Sequence, residues 1–171
     1  MLSSVARDRM KRGRLIMPFS ITYEIYDKID YDPISILGKI SFRRYSNVFY
    51  IDDVYVDDIL ISILRCYNNL DTNITSRYEV DVPSEPDTIR IENRSDNLTF
   101  TCGNFSISEI GTNDFHNAVV NATEQFLREH AELLNSNPHL QASNANIDEL
   151  STQFEISKTM IIGSPYPELL R

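Results

Sequence analysis

Four aspartates crowd one short stretch of this chain. Residues 49–58 read FYIDDVYVDD and hold Asp52, Asp53, Asp57 and Asp58. Carboxylates this close can bind divalent cations, exchange protons in catalysis, support a helix start, or make a negative surface for a basic partner. The first half, Tyr50-Ile51-Asp52-Asp53, also has the order Tyr-x-Asp-Asp, which can present two carboxylates to magnesium at a hairpin.

That order is the one found in reverse transcriptases, but a two-metal site needs a third carboxylate and walls that hold a template. Only 49 residues precede Tyr50. There, Glu24 and Asp27 are the only carboxylates on or beside a predicted strand, so a polymerase is rejected. DDVYVDDILISI also lacks the alternating oxygen ligands, central glycine and final glutamate of a calcium loop. No metal and no cofactor is expected.

Other catalytic patterns fare no better. His116 and His130 stand fourteen positions apart, almost four helical turns, and cannot share one proton or ligand. His139 lies beyond them. There is no His-Glu-x-x-His pair and no Gly-x-Ser-x-Gly elbow, and five glycines in all leave little for a phosphate-cradling loop. The expectation is a protein that is not an enzyme. A small metal-dependent hydrolase or nuclease using the Asp52–Asp58 cluster is kept as an alternative.

The elements that must position the cluster follow from periodicity. Residues 19–26 (FSITYEIY) alternate as a half-buried strand does, and 27–33 read as a loop. A second strand over 34–45, bent at Gly38, turns through Ser46-Asn47 into a third at 48–51. Val56, Ile59, Leu60, Ile63, Leu64 and Tyr67 then form one apolar stripe, predicting a helix over 53–69. Strands are predicted at 76–82, 87–93, 97–103 and 104–110, with a hairpin at Arg94-Ser95-Asp96. A second helix over 112–134, capped by Thr112 or Asn113, buries Phe115, Val119, Ala122, Phe126, Leu127 and Leu133. Beyond Pro138, a short helix at IDELSTQF and a strand at ISKTMII are the candidate elements. The order is βββα-ββββα, and the predicted class is α+β: a mainly antiparallel sheet with two principal helices packed on one face. Each half is a set of strands followed by a helix that opens near an Asp, a hint of duplication.

On this reading one Asp caps the first helix and others sit in its first turn, each gaining about 0.3–1 kcal/mol from the helix field. Four acids exceed what a cap requires, because like charges repel. The surplus points to an acidic surface, which Asp81, Glu85 and Asp87 of the proline-bearing link DVPSEPD extend, with Tyr50 and Tyr55 as aromatic anchors. The expected partner is a basic protein.

Composition agrees with one folded domain. The chain has 171 residues, 42% of them hydrophobic and 24% charged, and a net charge of −9. The charge is uneven: residues 1–14 hold Arg7, Arg9, Lys11, Arg12 and Arg14 against Asp8 alone. Residues 1–17 are thus expected to be a basic, flexible leader, 18–138 the domain, and 139–171 an Asn/Ser-rich extension. The acidic body would repel phosphate, which leaves nucleic-acid contact to the leader alone. No apolar run is long enough to span a bilayer, and the leader lacks the apolar core of an export signal. A cytoplasmic protein with reduced Cys66 and Cys102 is expected, and its five Asn-x-Ser/Thr triplets are read as chance.

From Tyr50 to Glu129 the layout resembles small, acidic bacterial immunity-type proteins, which neutralise a toxin made by a neighbouring gene. The residues that carry the likeness are Val56-Asp57-Asp58-Ile59-Leu60, YEVDVPSEPDTIRIE, Asn97-Leu98-Thr99-Phe100 and DFHNAVVNATEQFLREH. The resemblance covers about half the chain and implies binding without catalysis: an immunity-type inhibitor, or an accessory subunit of a larger assembly. A structural or oligomeric component is the other alternative.

Overall fold

The computed structural model describes residues 18–70, 76–80, 82, 88–94, 97–140 and 145–159. Strands β1 (Ser20–Ile25), β2 (Leu37–Arg44) and β3 (Asn47–Tyr55) are followed by helix α1 (Val56–Asn68). Then come β4 (Ser76–Val80), β5 (Ile89–Arg94), β6 (Asn97–Cys102), β7 (Phe105–Gly111), α2 (Thr112–Ser136) and α3 (Ala145–Thr159). The α+β class and the βββα-ββββα order are as read from the sequence. Two features differ. The strands form two antiparallel sheets, β1-β2-β3 and β4-β5-β6-β7, where one was expected, and α3 is a full helix. Every strand pairs with its neighbour in sequence except across α1, which carries the chain out of the first sheet before β4 begins.

Aromatic rings join the two sheets. Phe42 of β2 lies 4.4 Å from Phe100 of β6, and Phe49 of β3 lies 5.0 Å from Phe105 of β7. Phe19, just before β1, stacks 5.9 Å from Phe115 of α2. Stacked and tilted pairs of this kind add to the burial of large rings, so the centre of the core is aromatic although the chain has no Trp. Among the described residues α1 and α2 pack on one another, and each touches strands of both sheets.

The two halves repeat a local device. In β3, Ile51 and Val54 both face the core, three positions apart, where simple alternation would require two. A bulge resolves the conflict: Asp52 and Asp53 together oppose Lys39 of β2, and Asp53 takes a left-handed φ of 51°. In β7, Ile107 and Ile110 stand in the same relation around Ser108 and Glu109, with Glu109 at φ 57°. Each bulged left-handed residue comes three positions before its helix starts, at Val56 and at Thr112. The tight turns ahead of β3 and β7 also match, with Tyr45 and Gly103 both at φ 55°.

Asp57 and Asp58 lie in the first turn of α1 as expected, but the caps are not the expected residues. The N-cap of α1 is Tyr55 and that of α2 is Gly111, and neither makes a side-chain capping bond. The Val56 N–H, one of the four orphans at a helix start, donates instead to the Ile36 carbonyl at 3.1 Å. The helix lies where the apolar stripe placed it, but β3 runs four residues further than predicted, to Tyr55, three of them taken from the expected helix, and it carries Asp52 and Asp53.

α3 packs chiefly on α1 and buries only Leu150, Phe154 and Ser157. Much of its attachment is polar: Arg65 pairs with Glu149 at 2.9 Å, and Asn68 Nδ2 donates to the Gln153 side chain at 2.8 Å. Ile156–Thr159, expected in a strand, end this helix, and the rest of ISKTMII lies outside the described residues. Cys66 and Cys102 are buried and not in a disulfide, and burial pushes the Cys66 thiol up to about 12. Among the described residues no helix is long and apolar enough to cross a membrane.

Candidate interaction surface

The aspartates of the 49–58 stretch go to three different places. Asp52 and Asp53 are exposed on the bulge of β3. Asp57, in the first turn of α1, is 1% exposed; its Oδ2 accepts from Asn146 Nδ2 at 3.2 Å, and its Oδ1 has no hydrogen-bond partner among the described residues. Asp58 is half-buried and accepts from the same Asn146 amide at 2.7 Å. Burial raises the Asp57 carboxyl above its usual range, and Asp58 beside it adds to the rise against the opposing bond from Asn146. Asp57 thus lies inside the molecule, beneath α3. Asp81, Glu85 and Asp87 lie outside the described residues.

Both tyrosine anchors are on the surface. Tyr50 is 55% exposed, with Lys39 Nζ 4.0 Å from its ring centre, and Tyr55 is 44% exposed at the end of β3. Near Tyr55 the structure brings in residues 26–36 between β1 and β2, a loop wider than the expected 27–33 because β1 ends at Ile25 and β2 starts only at Leu37. Its Tyr26 hydroxyl donates to Asp52 Oδ1, which also accepts from the Asp53 N–H at 3.0 Å. That bond is the main reason the Asp52 carboxyl is held below its usual range, and the Tyr26 hydroxyl is pushed up to about 12 chiefly by the same bond.

The loop is tied to α2. Lys28 pairs with Glu129, which also accepts from the Tyr23 hydroxyl at 2.9 Å. Tyr31 is buried and shares a hydrogen bond with His130 Nδ1. Between these ties Ile29 and Asp30 face solvent, Ile29 at 92% exposure. Further on, Asp32 Oδ1 accepts from the Ile34 N–H at 2.9 Å, an Asx turn that leaves Ile34 72% exposed. A cavity of about 210 Å³ opens here, lined among others by Tyr26, Tyr55, Asp27, Asp30 and Asp32.

One end of the three-stranded sheet therefore carries exposed Asp27, Asp30, Asp32, Asp52 and Asp53, together with Tyr55, Ile29 and Ile34. The sequence did hold a signal for the part that was missed. YDKIDYDPI (26–34) packs three aspartates among tyrosines and isoleucines, much as DDVYVDD does. Turn formers drew the reading to conformation and away from the exposed side chains.

His130 touches this surface only through its bond to Tyr31, and His116 lies elsewhere, against Tyr67. His116 sits half-buried with its ring 5.0 Å from Tyr67, and burial lowers the pKa of both His116 and His130. Among the described residues no group of three or more His, Cys, Asp or Glu is placed to hold a metal ion. No protein-family model, curated protein or solved structure matches this chain.

Proposed function

We propose that this protein is a non-enzymatic binding module, an immunity-type inhibitor or an accessory subunit, whose acidic end captures a basic partner protein. One observation carries the reading: exposed isoleucines and a tyrosine stand among five exposed aspartates at one end of the first sheet. Singly exposed apolar side chains are ordinary, but apolar anchors among charge mainly of one sign, here five aspartates against Lys28 and Lys39, are the makings of a selective contact. The acids would speed encounter with a positive surface and repel negative ones, while Ile29, Ile34 and Tyr55 would supply the buried contact. Relative to the surface expected from the sequence, Asp52, Asp53 and Tyr55 stay, buried Asp57 drops out, and the 26–36 loop joins.

The test is purification of the tagged full chain from its native host in about 0.05 M salt, followed by elution with rising salt. A basic protein that co-purifies and releases steeply as screening shortens supports the reading. A partner whose retention ignores salt, or recovery of the chain alone under all conditions, contradicts it.

A further inference from the structure

We propose that the cavity between the β1–β2 loop and the end of β3 takes the guanidinium of an arginine on the partner, a site that rests on the binding role above. The cavity, at about 210 Å³, is smaller than the roughly 300–1,000 Å³ of sites that enclose a whole small molecule, so it suits one side chain of something larger. Its walls combine tyrosine rings from two elements, Tyr26 and Tyr55, with carboxylates from the loop, Asp27, Asp30 and Asp32. A ring face attracts a cation, and a carboxylate pairs with it, so the lining selects positive charge twice over.

Arginine fits better than lysine. Its planar group can stack on a tyrosine and still offer a fork of N–H donors to a carboxylate, whereas an ammonium is a compact, strongly hydrated point charge. The site is also built to last. Tyr26 is tied to Asp52, Asp32 closes its own turn, and the loop is anchored by Lys28 to Glu129 and by Tyr31 to His130. The backbone of the loop is thus held in place before binding, which lowers the ordering cost. Ile29 and Ile34, on the same loop, would meet apolar residues flanking the arginine.

The probe is the peptide acetyl-Leu-Arg-Leu-amide, titrated into the ¹⁵N-labelled full chain and followed by NMR at low salt. Saturable shifts confined to residues 25–37 and Tyr55 are expected. They should be absent when citrulline, the neutral isostere, replaces arginine, and several-fold weaker with lysine. The Asp27→Asn/Asp30→Asn variant should weaken binding by about tenfold or more, as loss of charged hydrogen bonds does. Its own spectrum shows whether it is folded, and Asn tolerates the left-handed φ of 49° at position 27. Equal shifts with the citrulline peptide, shifts spread over acids elsewhere, or saturation of the same residues by magnesium alone would overturn the proposal. A chain that captures a basic partner yet ignores the peptide keeps the binding role and loses this site. A peptide response confined to the pocket with no partner captured does the reverse.

Discussion

Asn146 Nδ2 on α3 donates to Asp57 Oδ2 on α1 at 3.2 Å, and this contact closes α3 over a buried carboxylate. The same amide reaches Asp58 at 2.7 Å, so a neutral side chain faces two acids and balances neither.

Asp57 should therefore limit stability at neutral pH. Its folded pKa is raised above the ordinary 3.8, chiefly by burial. A raised carboxyl favours the fold while protonated and loses that contribution as pH climbs from the unfolded value through the folded one. Asp57→Asn, which cannot ionise, is expected to unfold at higher urea than the wild type at pH 7, with the gap narrowing toward pH 3.5. Urea curves at both pH values check this. A variant less stable at pH 7 would show that the carboxylate gains more from its surroundings than burial costs.

The histidines should act in the opposite sense. Burial lowers the pKa of His116 and His130 below 6.5, so the fold holds them neutral. A depressed histidine contributes stability above its unfolded pKa and loses it as pH falls through the folded value. The His116→Gln/His130→Gln variant is expected to lose less stability than the wild type between pH 7 and pH 5. Equal losses would place the acid sensitivity elsewhere.

Gly38 shows what holds the first sheet together. A Cβ at this position would stand 2.1 Å from the Glu24 carbonyl oxygen and 2.8 Å from Val56 Cγ2, so β1 and the start of α1 approach too closely for any other residue. Gly38→Ala is expected to cost about 3 kcal/mol or more, at or beyond the upper end of overpacking penalties. Gly111→Ala is the control. Its Cβ would meet nothing nearer than 3.7 Å, and the loss should stay within about 1 kcal/mol, the scale of an N-cap change.

Much of this architecture was legible because its signals are local. Ile59, Leu60, Ile63 and Leu64 announce α1 through spacing, and the β5–β6 and β6–β7 hairpins lie close to their predicted limits. The bulge was not legible. Ile51 and Val54 break the two-residue period, and a break of that kind reads as the end of a strand until the paired strand is seen. α3 was undersized because its attachment is polar, through Asn146, Glu149 and Gln153, and polar contacts leave no stripe. The loop between β1 and β2 was expected over 27–33 and runs over 26–36, and only the tertiary ties of Lys28 and Tyr31 show that it presents Ile29 outward.

If the acidic end of the first sheet meets a basic partner, association kinetics with the co-purified protein should respond to its charge. Asp52→Asn/Asp53→Asn leaves the hydrogen-bond acceptor for Tyr26 in place and removes only charge. Glu124→Gln, exposed on α2, is the control; Glu129 would be a poor one, since it anchors Lys28 and Tyr23. At about 0.15 M salt screening acts over about 8 Å, so only charges near the contact should matter. The double variant should associate more slowly and with a shallower salt dependence, and unfold within about 0.5 kcal/mol of wild type, while Glu124→Gln should change nothing. Equal rates and equal salt slopes for the wild type and both variants would contradict a contact at the acidic end.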